Sequence, residues 1–182
     1  APQFSCKHGE AAASMASAME LISANTNGWG VEPYATETPC GGKFPHLVLA
    51  NRHGRQYAAR DVWIRFHGSD VVVFDEQTGM PRELMRAFSQ SVPWILDSGD
   101  PDTLYTFVST ETGAYGGYFH DLCQDECLGV NVDYPLGDWG YAMVGCEQTK
   151  RHLQRLAGRG YVPGVSRVTS VGYSDGGYLS SM

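Results

Sequence analysis

Short runs of apolar residues recur along most of the chain, and they constrain its fold more than any other feature. Each run has the length of a strand and is rich in β-branched or aromatic side chains. The runs are Leu47–Ala50, Val62–Phe66, Val71–Phe74, Leu104–Val108, Leu128–Val132 and Val165–Val171. Together with the 22 glycines, which suit turns, these runs predict a protein built on β-strands rather than a helical bundle.

Helical patterns occur in Glu10–Ala24, Arg82–Gln90 and Gln148–Leu156, where apolar residues recur three and four positions apart. Residues 28–45 are rich in Gly, Pro and Thr and predict a long ordered loop. Because the predicted strands do not alternate regularly with helices, the pattern favours an α+β fold over a doubly wound parallel sheet.

Size and charge exclude several classes of protein. No apolar run approaches the roughly 18 residues that a membrane-spanning helix needs. The net charge of -7, with 20 acidic against 13 basic residues, excludes strong electrostatic binding to nucleic acid. The 182 residues predict one domain, acting as a monomer, with residues 1–58 as a helical and loop extension and 59–182 as the core.

The five cysteines lack the paired spacing of a zinc site, so no metal is expected. The chain starts Ala1-Pro2-Gln3, without an apolar signal core, which is typical of a mature chain after signal cleavage. We therefore expect a secreted protein with disulfides, with Cys6–Cys40 the favoured pair. A reduced cytosolic chain is the alternative.

A Gly-x-Ser-x-Gly sequence follows the last apolar run, as Gly172-Tyr173-Ser174-Asp175-Gly176. In α/β-hydrolases this sequence exposes a nucleophilic serine, and the acid and the histidine follow it in the chain. Here Met182 comes eight residues after Ser174. A polar hairpin turn is therefore the favoured prediction for these residues.

An arginine on one predicted strand, a Ser-Thr pair at the end of a later strand and a late glutamate follow one another in order. Ile64-Arg65, Phe107–Glu111 and Glu147 in this order resemble the Arg, Ser-Thr-Ser, Glu class of mono-ADP-ribosyltransferases, the cholera- and pertussis-toxin-like family. His67-Gly68-Ser69 resembles the His-Gly motif of the diphtheria-toxin-like branch. The resemblance spans roughly residues 62–175 and implies split antiparallel β-sheets around an NAD cleft.

The resemblance also implies roles for individual residues. Arg65 would hold the phosphates of NAD, and Ser109 would support the pocket with Thr110, His67 and Gly68. Glu147 would stabilise the charge that grows as the nicotinamide–ribose bond breaks. The implied function is a secreted toxin or effector that hydrolyses NAD or transfers ADP-ribose, with a host protein as the implied target.

Two alternatives remain open. The first is an inactive effector that keeps this fold and binds a host protein. The second is a ribonuclease-like protein, because Phe44-Pro45-His46 resembles the secreted guanyl-specific ribonucleases, in which a histidine and a glutamate act as acid and base. In this chain His46 would keep that role, and Asp61 would be a poor substitute for the glutamate.

Overall fold

A computed structural model describes residues 16–25, 27–37, 43–51, 59–67, 80–108, 149–161, 167–173, 177 and 180–181. In chain order the described elements are helix α1 (16–24), strands β1 (Trp29–Glu37), β2 (Lys43–Asn51) and β3 (Asp61–Phe66), helix α2 (Arg82–Ser98), strand β4 (Thr103–Val108), helix α3 (149–158) and strand β5 (Arg167–Gly172).

The strands form a mixed sheet in the order β1-β2-β4-β3-β5. Strands β1 and β2 are antiparallel, as are β2 and β4, while β3 is parallel to both β4 and β5. The chain therefore reaches β4 from β3 through α2, and β5 from β4 across the 149–158 helix. Parallel neighbours need such crossovers, because the chain must return to the starting edge of the sheet before each new strand.

Helices cover both faces of the sheet, so the core has two halves. Helices α1 and α2 pack on one face, called here the α2 face, and α3 packs on the other, called the α3 face. The buried core of the α2 face consists of Ala18, Ile22, Trp29, Leu47, Leu49, Leu84, Phe88, Val92, Ile95, Tyr105 and Phe107. That of the α3 face consists of Val48, Ala50, Val62, Ile64, Phe66, Leu104, Val108, Leu156 and Tyr161. Three layers of this kind define an α/β architecture.

The prediction of an α+β fold with split antiparallel sheets is therefore wrong. The described strands belong to one sheet, with β4, β3 and β5 parallel. The alternation of strand and helix that the sequence pattern failed to show is present from β3 to β5. It was hard to see because the run at Val71–Phe74 looked like another strand between β3 and α2, and this run lies outside the described residues.

The predicted loop at 28–45 is also wrong, because most of this segment forms β1 and the start of β2. Pro33 lies within β1, and proline is tolerated there because β1 is at the edge of the sheet. Residues 29–51, assigned to an N-terminal extension, thus contribute two strands to the same sheet as the core.

The three helix predictions are confirmed where the structure describes them, at 16–24, Arg82–Ser98 and 149–158. Helix α2 continues beyond the predicted Gln90 as far as Ser98, with Pro93 inside the helix. Pro93 is exposed, so the carbonyl group that loses its helical partner there can bind water. Within the described part of the chain, no helix is long and apolar enough to cross a membrane.

Candidate functional site

The parallel strands end level with one another. Phe66 at the end of β3 is in register with Val108 at the end of β4 and with Gly172 at the end of β5. The segments that follow these strands therefore leave the sheet at one edge, called here the carboxyl edge. Ligands of open α/β sheets bind at this edge.

The connections that leave β3 and β5 run to opposite faces. The chain leaving β3 reaches α2 on the α2 face. The Ser170 hydroxyl on β5 donates a hydrogen bond of 2.8 Å to the carbonyl group of Ser180, which is helical. Ser170 is in register with Ile64, whose side chain belongs to the core of the α3 face. The helical residues after β5 therefore lie on the α3 face, and a topological switch point separates β3 from β5.

Helical residues follow β5 within a few positions. Gly172 ends the strand, and Gly177 is already helical. A Cβ atom on Gly177 would lie 3.5 Å from the carbonyl oxygen of Gly172, so this helical residue lies against the end of the strand. The predicted hairpin is not formed by the described residues, because Gly177 and Ser180, which would belong to its returning strand, are helical. The turn itself, residues 174–176, lies outside the described residues. Ser174 itself lies outside the described residues, bracketed by Tyr173 and Gly177.

The signal for this turn was present in the sequence, in a β-branched run followed at once by Gly-x-Ser-x-Gly. The short distance from Ser174 to Met182 favoured a hairpin turn instead. The strand order, the strand directions and the helical residues after β5 do not depend on the distance from Ser174 to Met182. They indicate that a helix follows β5.

Arg65 lies on β3 and its side chain reaches α2. One terminal nitrogen, Nη1, donates to the carbonyl oxygen of Ala87 (3.1 Å) and to the Ser91 hydroxyl, and Nη2 donates to Gln90 Oε1 (3.2 Å). All three acceptors are neutral, and desolvation by burial lowers the pKa of Arg65 from its usual value. Through these three hydrogen bonds the guanidinium group links α2 to β3.

The other predicted NAD-site residues are only partly described. His67, the residue after β3, is buried, with 2% of its surface exposed. Gly68, Ser109, Thr110 and Glu147 lie outside the described residues. The five cysteines, including the predicted pair Cys6 and Cys40, also lie outside them.

His46 is fully buried on the α3 face and stacks on His152 of α3, with ring centroids 4.0 Å apart and an interplanar angle of 14°. Burial, and the proximity of His152, lower the pKa of His46 well below its usual value. Burial lowers the pKa of His152 to about 3. The ribonuclease hypothesis is wrong, because a buried neutral imidazole cannot meet a phosphate, and Asp61 instead pairs with Arg167 at 3.1 Å.

No protein-family model and no curated protein matches the chain. Among solved structures it is similar to a prolyl endopeptidase, at 19% identity and a TM-score of 0.49, covering 84% of this chain and 19% of that one. It is also similar to the esterase Est22, at 16% identity and a TM-score of 0.44, covering 93% of this chain and 44% of that one. A third structure is brefeldin A esterase, a bacterial homologue of human hormone-sensitive lipase, at 15% identity and a TM-score of 0.44, covering 97% of this chain and 42% of that one.

The chain thus spans less than half the length of each of these proteins. All three TM-scores are below 0.5, and the fold assignment rests on strand order and direction instead.

The resemblance to ADP-ribosyltransferases is therefore corrected. A single sheet with three parallel strands and helices on both faces does not form the cleft between split antiparallel sheets on which that resemblance depended. The NAD-cleaving toxin, the transferase or NAD glycohydrolase activity and the inactive effector of the same fold are all set aside, and with them the NAD roles of Arg65 and the other residues.

Proposed function

We propose that this chain carries the nucleophile of a serine hydrolase of α/β-hydrolase type, and that Ser174 is that nucleophile. The observation that carries the proposal is that Gly177 and Ser180, directly after β5 and at the switch point, are helical, with Gly-x-Ser-x-Gly as the sequence between strand and helix. In α/β-hydrolases this turn holds the serine at the top of the sheet, where a substrate can reach it.

The position of β3 beside β5 is consistent with an oxyanion hole near Ser174. In this fold the hole combines the N–H group of the residue after the serine with an N–H group from the loop after the third strand. Here those groups would come from Asp175 and from the residues that follow His67, because β3 and β5 are paired. His67-Gly68 also matches the start of the histidine–glycine motif of lipases and esterases, so a carboxylic ester is the proposed substrate class.

The reaction follows from these groups. The Ser174 oxygen attacks the ester carbonyl carbon as its proton passes to a general base, and the oxyanion is stabilised by the two N–H groups. The alcohol leaves with a proton returned by the base, and water then hydrolyses the acyl-enzyme by the same route. Acid and base follow the serine in this fold, and no histidine follows Ser174 in the printed sequence, so neither is assigned.

Hydrolysis of p-nitrophenyl butyrate by the full-length protein tests the proposal. Ser174→Ala should lower kcat by about 10⁴- to 10⁶-fold, since removal of a nucleophilic serine has effects of this size. Ser170→Ala is the matched control, because Ser170 lies within β5, four positions before Ser174 in the sequence, and its hydroxyl already bonds to the Ser180 carbonyl group. Equal rates for wild type and Ser174→Ala, or an equal loss in both variants, would contradict the proposal.

A further inference from the structure

The stacked pair His46–His152 occupies a defined place at the carboxyl edge. His46 is directly opposite Val108, the last residue of β4, and its partner His152 lies on α3. Strands β4 and β3 separate β2 from β5, so β2 and β5 are about 14 Å apart. The pair therefore lies at the same edge of the sheet as the proposed active site and on the α3 face, with His46 three strands away from β5.

A chain of hydrogen bonds fixes the tautomer of His152. The Thr106 hydroxyl donates its single hydrogen to the Leu47 carbonyl oxygen (3.1 Å), and it also lies 2.7 Å from His152 Nε2. Thr106 must therefore accept a hydrogen bond from His152 Nε2–H, which leaves Nδ1 of the neutral ring unprotonated. Nδ1 is buried and has no hydrogen-bond partner among the described residues.

Protonation of this pair would cost free energy in three ways. It would place a charge in a fully buried site, put a second N–H donor of His152 where no described acceptor lies, and set two cations face to face if both rings were charged. At acidic pH the two rings stay neutral only while α3 remains packed on the sheet. Once α3 leaves the sheet, His152 is exposed to water and can take up a proton.

Among the described residues, the groups whose contacts with the pair are given carry no negative charge directed at it. From β1 the Tyr34 ring lies 5.3 Å from the His152 ring and 6.4 Å from the His46 ring. Glu32, on the same strand, accepts a hydrogen bond from Tyr161 and forms an ion pair of 2.9 Å with Arg159. The charged residues of α3 itself are basic: Lys150, Arg151 and Arg155. From β4 the facing group is the Thr106 hydroxyl.

We propose that the His46–His152 pair is an acid-operated latch that releases α3 from the carboxyl edge, and so switches off the hydrolase reversibly at mildly acidic pH. The loss of activity rests on the proposed function, whereas the release of α3 does not. Helix α3 and the helical residues after Ser174 share one face of the sheet, so release of α3 would remove packing beneath the proposed active site.

The expected pH dependence has a definite sign. The folded pair excludes protons, whereas a histidine in the released state takes one up below its ordinary pKa of about 6.5. Release is therefore suppressed above about pH 6.5 and becomes easier as the pH falls below it. Each histidine contributes up to a tenfold change in the opening equilibrium per pH unit, so the pair contributes up to about a hundredfold.

Amide hydrogen exchange between pH 7.5 and 4.5, corrected for the intrinsic exchange rate, measures this opening without any substrate. Peptides from 149–158 should lose protection by up to about a hundredfold per pH unit below pH 6, while β1–β2 peptides keep theirs.

His152→Gln, whose side-chain amide can still donate to Thr106, should reduce this slope to about tenfold. His46→Phe combined with His152→Gln should abolish it. Leu156→Val is the control, and should lower protection of α3 at every pH without changing the slope.

An equal slope in wild type and the double variant would overturn the latch, as would parallel loss of protection in α3 and β1–β2, which would indicate global unfolding. If the variants do not fold, NMR of the wild-type histidine rings decides. The latch requires two folded-state rings that stay neutral from pH 7 to 5, and two rings that titrate near 6.5 would refute it. Acid release of α3 in a protein without esterase activity would support the latch and reject the proposed function.

Discussion

The two faces of the sheet are stabilised by different chemistry. On the α2 face, aromatic rings from strands and helix contact one another at centroid distances of 5.2 to 5.9 Å, and a guanidinium group bonds to neutral acceptors. On the α3 face, two stacked histidines lie beside the Tyr34 ring and a core of aliphatic and aromatic side chains. The α2 face therefore depends on packing that pH does not change, whereas the α3 face depends on two groups that acid can charge.

The largest effect is expected from Phe88 on α2. Its side chain is fully buried and packs edge-on against Phe107 of β4, at a centroid distance of 5.2 Å and an angle of 88°. Phe88→Ala should lower the free energy of unfolding by about 3–5 kcal/mol, through lost burial and the cavity left behind. Urea unfolding at pH 7 measures it, with Asp97→Ala on the same helix as control, since Asp97 is exposed. A loss below about 1 kcal/mol for Phe88→Ala would contradict the account of this face.

A smaller effect is expected from Arg65. Arg65→Met keeps the length of the side chain but removes its hydrogen bonds to α2, and should cost about 1–2 kcal/mol. Arg65→Lys should recover only part of this, because an ammonium group cannot reach three acceptors with the planar fork of a guanidinium. Since the acceptors are neutral, the loss measured by urea unfolding should be the same at pH 7 and pH 5. A strongly pH-dependent loss would show that an acidic partner had been missed.

The smallest effect is expected from the ion pair between Arg167 on β5 and Asp61 on β3. Arg167 is 73% exposed, so water and salt screen the pair. Arg167→Ala should change the free energy of unfolding by less than about 1 kcal/mol, and 0.5 M NaCl should reduce the difference further. A loss above about 2 kcal/mol, unaffected by salt, would mean that β5 is attached to β3 mainly through this pair.

Local patterns predicted most elements but not how they are connected. Strands β2, β3, β4 and β5 and the three helices follow from apolar runs and periodicity, which are properties of neighbouring residues. Strand β1 was missed because Gly30 and Pro33 read as a loop, and only pairing with β2 makes it a strand. Strand order and direction depend on contacts between distant residues, such as Phe66 with Gly172, which no local pattern encodes.

The candidate site shows the same limit. Gly-x-Ser-x-Gly was visible, but a hairpin and a strand–turn–helix connection can share that sequence, and only the surrounding sheet separates them. Arg65 is conspicuous in the sequence because it lies between the apolar residues Ile64 and Phe66. Its partners Ala87, Gln90 and Ser91 lie more than twenty positions away in the chain, so its role in fastening α2 could not be foreseen.

The central claim is that the turn after β5 presents an activated serine, and covalent labelling tests it most directly. The full-length protein is treated with a fluorophosphonate, digested and analysed by mass spectrometry. We predict a single phosphonate adduct on Ser174, absent from Ser174→Ala and retained in Ser170→Ala. An unlabelled Ser174 in a folded protein that hydrolyses esters, or a label on another serine, would contradict the claim.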